Sequence, residues 1–412
     1  MVFTRRRGGA EGYRRDGRAG WFGRIGSAGT AETARTAGTA GNVSVMSAPT
    51  PFTPTEIQRR LRRLQAAQRR QRLDALLVTT AINRFYFTGL ETSNGVLLSE
   101  RGAAPAFYTD FRYLTMARRA AAWLPSHLLW RPSQEQEVVA GMGCGWRRVG
   151  YEGAMPASRF LKLQAALPDV EWIDATDLIQ ALRAVKSSEE QRRMRAAIAE
   201  NDRLLAETLR QAAPGMREWE IGAVMRREAE RLGQGESFPA IVCAGRNAAE
   251  CHHQPGDAVL RRGQPLLLDL GLKLDHACAD MTRCVSFGPP TPLWREIYRI
   301  VLEANRAAVR AIRPGVPCQA IDAVARGVIE RAGYGACFGH SLGHGLGLEV
   351  HEAPSFSVAC TTGLAPGMVL TVEPGIYVPG RLGIRIEDVV LVTRDGCEVL
   401  TGTPRELEWA IR

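Results

Sequence analysis

Pro265-Leu-Leu-Leu-Asp-Leu-Gly271 is an apolar, strand-like run with one acid, Asp269, set inside it, and a second such run over 277–287 holds Asp280 near its start. An isolated carboxylate in this setting is costly unless it is paired, protonated or bound to a cation. Turn-forming Lys273 and Asp275 separate the two runs. The pattern therefore predicts a hairpin that brings Asp269 and Asp280 to one face at neighbouring heights, where two anions need a cation between them.

The same signal recurs downstream. Glu373 follows the apolar run Met368–Val372 and precedes Pro374-Gly375, and Glu387 falls inside the strand-like run 383–393. Six of the seven histidines lie between 252 and 351, and His344 sits in Gly343-His-Gly-Leu-Gly347, which reads as a loop flexible enough to bring an imidazole to the acids. Four carboxylates are offset by two divalent ions. Oxygen-rich donors with one imidazole suit Mn²⁺ first, with Co²⁺, Fe²⁺ or Zn²⁺ as alternatives. Nine cysteines without a C-x-x-C pair argue against structural zinc. Two ions roughly 3.5–4 Å apart can share a water and polarise a carbonyl, so metal-assisted hydrolysis is expected. Taken singly, each fragment has a plainer reading. Asp275 and Glu349 read as caps or arginine partners, and His127, His253 and His276 as satisfied surface or core residues. The ordered conjunction is what points to a site.

At 412 residues the chain has room for two to three domains, and no apolar run approaches the roughly 18 residues needed to span a bilayer. A membrane-embedded protein is excluded on that basis. Half of the net charge of +10 comes from residues 1–45, where eight arginines face three acids, so the rest of the chain carries only +5 and a nucleic-acid partner is not expected. Residues 1–45 are rich in Gly and Ala without apolar periodicity; they read as a disordered basic leader, with translation starting at Met46 the preferred alternative. Scattered single cysteines suggest reduced thiols and the cytoplasm.

Residues 46–182 read as an α/β domain. A helix opens at Thr53 with Ile57, Leu61 and Leu64 on one face, short strands follow at 74–79, 85–88, 95–98 and 106–109, and another helix starts near Phe111. Residues 183–412 open on a capping box, Ser187 with Glu190. Helices at 218–232, 293–313 and 319–332 alternate there with strands at 265–271, 277–287, 368–373 and 383–393, which predicts an α+β arrangement of helices covering a largely antiparallel sheet.

Together the fragments resemble the pita-bread-fold metallopeptidases, of the Xaa-Pro aminopeptidase and Xaa-Pro dipeptidase (prolidase) type. The resemblance is carried by Asn247-Ala-Ala-Glu-Cys-His252, Asp269-Leu-Gly271 with Ala279-Asp-Met-Thr-Arg283, Phe338-Gly-His-Ser-Leu-Gly-His-Gly-Leu-Gly347 with Val350-His-Glu352, Thr371-Val-Glu-Pro-Gly-Ile-Tyr377 and Gly383-Ile-Arg-Ile-Glu-Asp388. Asn83-Arg-Phe-Tyr-Phe-Thr-Gly89 and Thr109-Asp-Phe-Arg-Tyr113 resemble the smaller creatinase-like N-terminal domain of the same enzymes. The resemblance implies that Asp269, Asp280, His344, Glu373 and Glu387 ligate two metal ions, with Asp280 and Glu387 bridging. It implies that Glu373 also handles the proton of an attacking hydroxide, that His351 stabilises the oxyanion, and that His252 stands at the substrate edge. His340 and Arg385 would line the pocket for a proline-containing peptide, where Arg385 could pair with a carboxylate, in a homodimer. Two departures bear on substrate preference. Cys251 replaces the usual proline before His252, which His253 then rivals, and His276-Ala277 replaces the usual Gly-Tyr. A creatinase-like hydrolase of a small amide or amidine and a non-catalytic binding module share the fold, but both predict eroded ligands. Methionine aminopeptidase activity would leave the preceding α/β domain without a use.

Overall fold

The computed structural model describes residues 52–129, 134–143 and 145–412. The leader expected over 1–45 lies outside the described residues. Residues Ser47–Arg412 form one compact unit.

Its first part is built on a six-stranded mixed sheet ordered Ser126–Leu128, Ala106–Thr109, Val96–Glu100, Ala75–Val78, Arg148–Tyr151 and Glu171–Asp174. The helix Pro54–Arg70 starts where Thr53 accepts from the Glu56 amide, and it buries Ile57, Leu61 and Leu64 as their spacing predicts. One element departs from the pattern. The run 85–88 is not a strand but the end of the helix Ala81–Thr88, closed by Gly89 at φ 70°. Arg84, Phe85, Tyr86, Phe87 and Thr88 are all buried, and a helix buried on every side shows no amphipathic period to distinguish it from a short core strand.

The second part opens on Ser188–Gln211, whose capping box forms as predicted: Glu190 N donates to Ser187 Oγ at 3.1 Å and Ser187 N to Glu190 Oε2 at 3.0 Å. Glu218–Leu232, Pro292–Ala311 and Cys318–Arg331 are the further long helices among the described residues of this part. The apolar stripe Trp294, Ile297, Val301, Ala304, Ala308 and Ile312 is fully buried in the core beneath the sheets. An antiparallel three-stranded sheet is ordered Met281–Ser286, Pro265–Leu270, Ile241–Ala244. A five-stranded antiparallel sheet runs Glu352–Phe356, Gly343–Gly345, Val369–Val372, Asp388–Val392, Cys397–Val399. Helices over antiparallel sheets give the expected α+β arrangement.

Two local expectations change. His344 is not in a flexible loop but in the strand Gly343–Gly345. A Cβ on Gly343 would stand 2.1 Å from the Thr371 carbonyl oxygen, and one on Gly345 2.7 Å from that of Ala353, so these glycines serve close backbone approach rather than mobility. Glu387 is not inside a continuous strand either. It occupies the break between Leu382–Arg385 and Asp388–Val392, where Glu387 N donates to the Thr282 carbonyl and joins the two sheets.

Candidate metal centre

The predicted hairpin forms, with Asp269 opposite Thr282 and Leu270 opposite Met281. Asp280 thus stands just beyond the paired rungs, two residues from Thr282 and on the same side. Across the join, Val372 pairs with Asp388, so Glu373 and Glu387 occupy the ends of adjacent strands. His344 N donates to Thr371 Oγ1 at 3.0 Å, and its Nδ1 lies 3.1 Å from the Gly345 carbonyl. A ring held by a carbonyl at Nδ1 keeps Nε2 for an acidic or metallic partner. That Nε2 is 3.3 Å from Glu373 Oε1 and 3.7 Å from Asp280 Oδ2. Ligand atoms of Asp280, His344 and Glu387 all lie within 4.8 Å of one another.

Asp269 joins from the hairpin. Its Oδ2 accepts from Arg385 Nη2 at 2.6 Å, while Oδ1 is buried with no hydrogen-bond partner among the described residues. An orphaned carboxylate oxygen beside the buried Asp280 and Glu387 and the half-buried Glu373 fits a cation, because an unmet charged acceptor in the interior is otherwise expensive. Titration behaviour agrees. Burial, then repulsion by neighbouring carboxylates, pushes Asp280 and Glu387 well above the usual acid range. Burial also raises Asp269 against the pull of Arg385. Glu373 moves the opposite way: burial raises it, but the His344 hydrogen bond and charge outweigh that and hold it ionised. His344 is raised in turn, its contacts with Glu373 overcoming burial. The donor set is four carboxylates and one imidazole nitrogen, the chemistry of a divalent ion site rather than of a thiolate site.

Residues around this cluster divide into two groups. His351 is exposed as a residue, but its ring stands 4.4 Å from that of His344, and partial desolvation of the ring, then the His344 charge, depress its pKa. His252 is exposed as well, close enough for its charge to depress both His340 and His351. His253, the rival, is engaged by Glu218 at 2.8 Å and Glu250 at 3.2 Å, so it anchors the loop and leaves His252 facing outward. His276 is not brought to the cluster. It caps the hairpin tip at φ 63°, packed on Phe85 at 4.7 Å and paired with Glu91 at 3.2 Å. Glu349 pairs with Arg183, and His127 stacks on Tyr108, in line with their plainer readings.

Arg385, read from the sequence as a pocket position that could pair with a carboxylate, is 3% exposed and pairs with Asp269; its other acceptors are Thr282 Oγ1 at 2.9 Å, Tyr377 Oη at 2.8 Å and the Cys251 carbonyl at 3.3 Å. His340 Nε2 is hydrogen-bonded to the same Tyr377 hydroxyl at 3.0 Å. Sequence reasoning gave no roles to Thr282, Thr371 and Tyr377. Thr282 Oγ1 donates to Glu387 Oε2 at 2.7 Å, and Thr371 Oγ1 to Glu373 Oε1 at 3.2 Å. The available signal was period two: Thr282 follows Asp280, and Thr371 precedes Glu373, by two residues in extended chain.

Residues 192–394 match the model of Metallopeptidase family M24, and residues 60–185 match the Creatinase/Prolidase N-terminal domain. An uncharacterized peptidase of Bacillus subtilis is 35% identical over 341 residues, covering 81% of this chain and 95% of that protein. The Xaa-Pro dipeptidase of Pyrococcus furiosus is 33% identical over 336 residues, covering 81% and 95%. Among solved structures, the Xaa-Pro dipeptidase from Bacillus anthracis superposes with a TM-score of 0.81 at 33% identity, over 86% of this chain and all of that one. The X-Pro aminopeptidase from Thermotoga maritima gives 0.74 at 33% identity, over 83% and 99%. With its cluster of metal-competent acids and this similarity along nearly the whole of its relatives, the chain belongs to the M24 metallopeptidases of pita-bread fold, preceded by a creatinase/prolidase-type N-terminal domain.

Proposed function

We propose that this peptidase hydrolyses the bond between an N-terminal residue and proline, and that Asp269, Asp280, His344, Glu373 and Glu387 would hold two divalent ions, Mn²⁺ foremost. The observation that carries the reading is the convergence of Asp280, His344 and Glu387 within 4.8 Å, beside Glu373 and the orphaned oxygen of Asp269. When bound, such ions lower the pKa of water and polarise a carbonyl oxygen.

The chain's own residues do the rest. Glu373, kept ionised by His344, accepts the proton of the attacking water on its carboxylate. His351, neutral near pH 7 because burial and His344 depress its pKa, donates a hydrogen bond to the oxyanion that develops at the scissile carbonyl. His252 receives the proline side of the peptide, and the Tyr377-held ring of His340 lines the same pocket. A tertiary Xaa-Pro amide has no N–H, so recognition depends on shape and on contacts to its carbonyl. The retained donor set supports hydrolysis over the creatinase-like and binding-module readings. Residues 46–182 and 183–412 are the two domains of this reading. It places the enzyme in the cytoplasm as a homodimer, and the eight described cysteines, all free thiols, support a reducing compartment.

The deciding experiment compares an Xaa-Pro dipeptide with an Xaa-Pro-containing tripeptide, each with added Mn²⁺ and after chelation. Metal-dependent release of the N-terminal residue is expected. Cleavage of the dipeptide alone makes the enzyme a prolidase, and failure on both substrates with Mn²⁺, Co²⁺, Fe²⁺ and Zn²⁺ overturns the assignment.

A further inference from the structure

Glu352 directly follows His351, and the two face opposite ways, His351 exposed and the Glu352 side chain 5% exposed. Inside, Glu352 accepts from Arg183 Nη2 at 2.5 Å, Lys186 Nζ at 2.9 Å, and the amides of Leu348 at 2.9 Å and Glu349 at 3.2 Å. Gly347 makes room for it, since a Cβ there would stand 2.7 Å from either carboxylate oxygen. Arg183 extends the clamp to Asn83 Oδ1 at 2.8 Å, on the helix Ala81–Thr88 of the first part of the fold. Arg183 lies in the last turn of the helix Thr176–Ala184, which closes the first part, and Lys186 in the short connection to the helix Ser188–Gln211; both are more than 160 residues from Glu352 in sequence. The loop 347–352 is therefore held from outside the catalytic sheets, by cations whose partner is the residue next to His351.

We propose that Arg183 and Lys186 are positioning residues for hydrolysis: by clamping Glu352 they hold His351 beside the metal ligands, so the junction between the two parts of the fold sets the placement of an oxyanion-stabilising group. This rests on the role assigned to His351 above. A side chain fixed to about an ångström by outer contacts typically loses 10- to 100-fold in rate when those contacts go.

The test uses the full-length, metal-loaded enzyme and an Xaa-Pro dipeptide. kcat, KM and metal content are measured for Glu352→Gln, His351→Ala and the double variant. Glu352→Gln is expected to lower kcat by about 10- to 100-fold with KM and metal content near the parent values. In the His351→Ala background the same change is expected to cost nothing further, because an effect exerted through His351 vanishes with it. Lys186→Met, which removes one donor and keeps most of the volume, is read in the same cycle should Glu352→Gln fold poorly, and Arg183→Lys is expected to retain more activity than Arg183→Gln. Losses that multiply across the cycle, loss of metal in Glu352→Gln, or unchanged kcat in it or in Lys186→Met overturns the proposal while leaving the peptidase assignment intact. A parent enzyme inactive on every Xaa-Pro peptide overturns both.

Discussion

Two sets of acids in the second part of the fold are treated in opposite ways. Glu352 is met by Arg183, Lys186 and backbone amides, and although burial raises its pKa those cations draw it down to about 2. Asp388, next to Glu387, is likewise paired with Arg283 at 2.8 Å and with Arg405. At the candidate metal centre, Asp269, Asp280, Glu373 and Glu387 share Arg385 and His344, and three of the four are pushed upward. A buried carboxylate is no marker of function by itself. The marker is a shortfall of cationic partners, which the fold tolerates where an ion will make it up.

The largest effect is expected from the under-compensated side. Asp280→Asn or Glu387→Gln abolishes turnover and lowers metal occupancy, measured by peptide hydrolysis and elemental analysis of the purified protein. Parent-like turnover in either variant breaks the comparison at its root. Next comes the compensated side. Glu352→Ala takes the carboxylate from buried Lys186 and leaves Arg183 only Glu349 and Asn83, and it is expected to destabilise by about 3 to 5 kcal/mol in denaturant unfolding at pH 7. Because the folded pKa of Glu352 is depressed to about 2, its contribution is full above the unfolded value of 4.5 and is lost as pH falls toward 2, so the gap between parent and variant narrows over that window. An unchanged gap at pH 3 contradicts the assignment.

Smaller and opposite in sign is the effect of Asp280→Asn on metal-free protein. The folded pKa of Asp280 is raised, so its charge disfavours the folded state as pH rises above the unfolded value. Neutralising it is expected to raise the melting temperature of the chelated protein by a few degrees and to lower that of the Mn²⁺-loaded protein relative to the parent. A melting temperature that falls in both conditions would show the cluster to be balanced without metal. At the end of the scale, removing residues 1–45 is expected to leave turnover unchanged. A large loss would make the leader part of the enzyme.

The parts of this centre that could be read from sequence are those where local pattern and chemistry coincide. Asp269 and Asp280 stand out because a charge interrupts an apolar alternation on each side of a turn, and the long helices because their stripes repeat over several turns, as from Trp294 to Ile312. Other parts depend on distant partners. Arg385 reads from sequence as a candidate carboxylate partner, but only the fold shows that the carboxylate is Asp269, 116 residues away. Glu352 shows its importance only through Arg183 and Lys186. The glycines around His344 mislead for a related reason: permissiveness and close approach select the same residue, and only the neighbouring strands tell which applies.

His344 on a strand wedged between two others has a consequence for loading. Where a metal organises its own ligands, as in small zinc domains, stripping the ion unravels the chain. Here the imidazole's backbone is locked by carbonyls that leave no space for a Cβ, so the cradle exists before its cargo arrives. Demetallation is then a change of contents rather than of shape, and a chelated sample returned to Mn²⁺ is expected to recover without refolding.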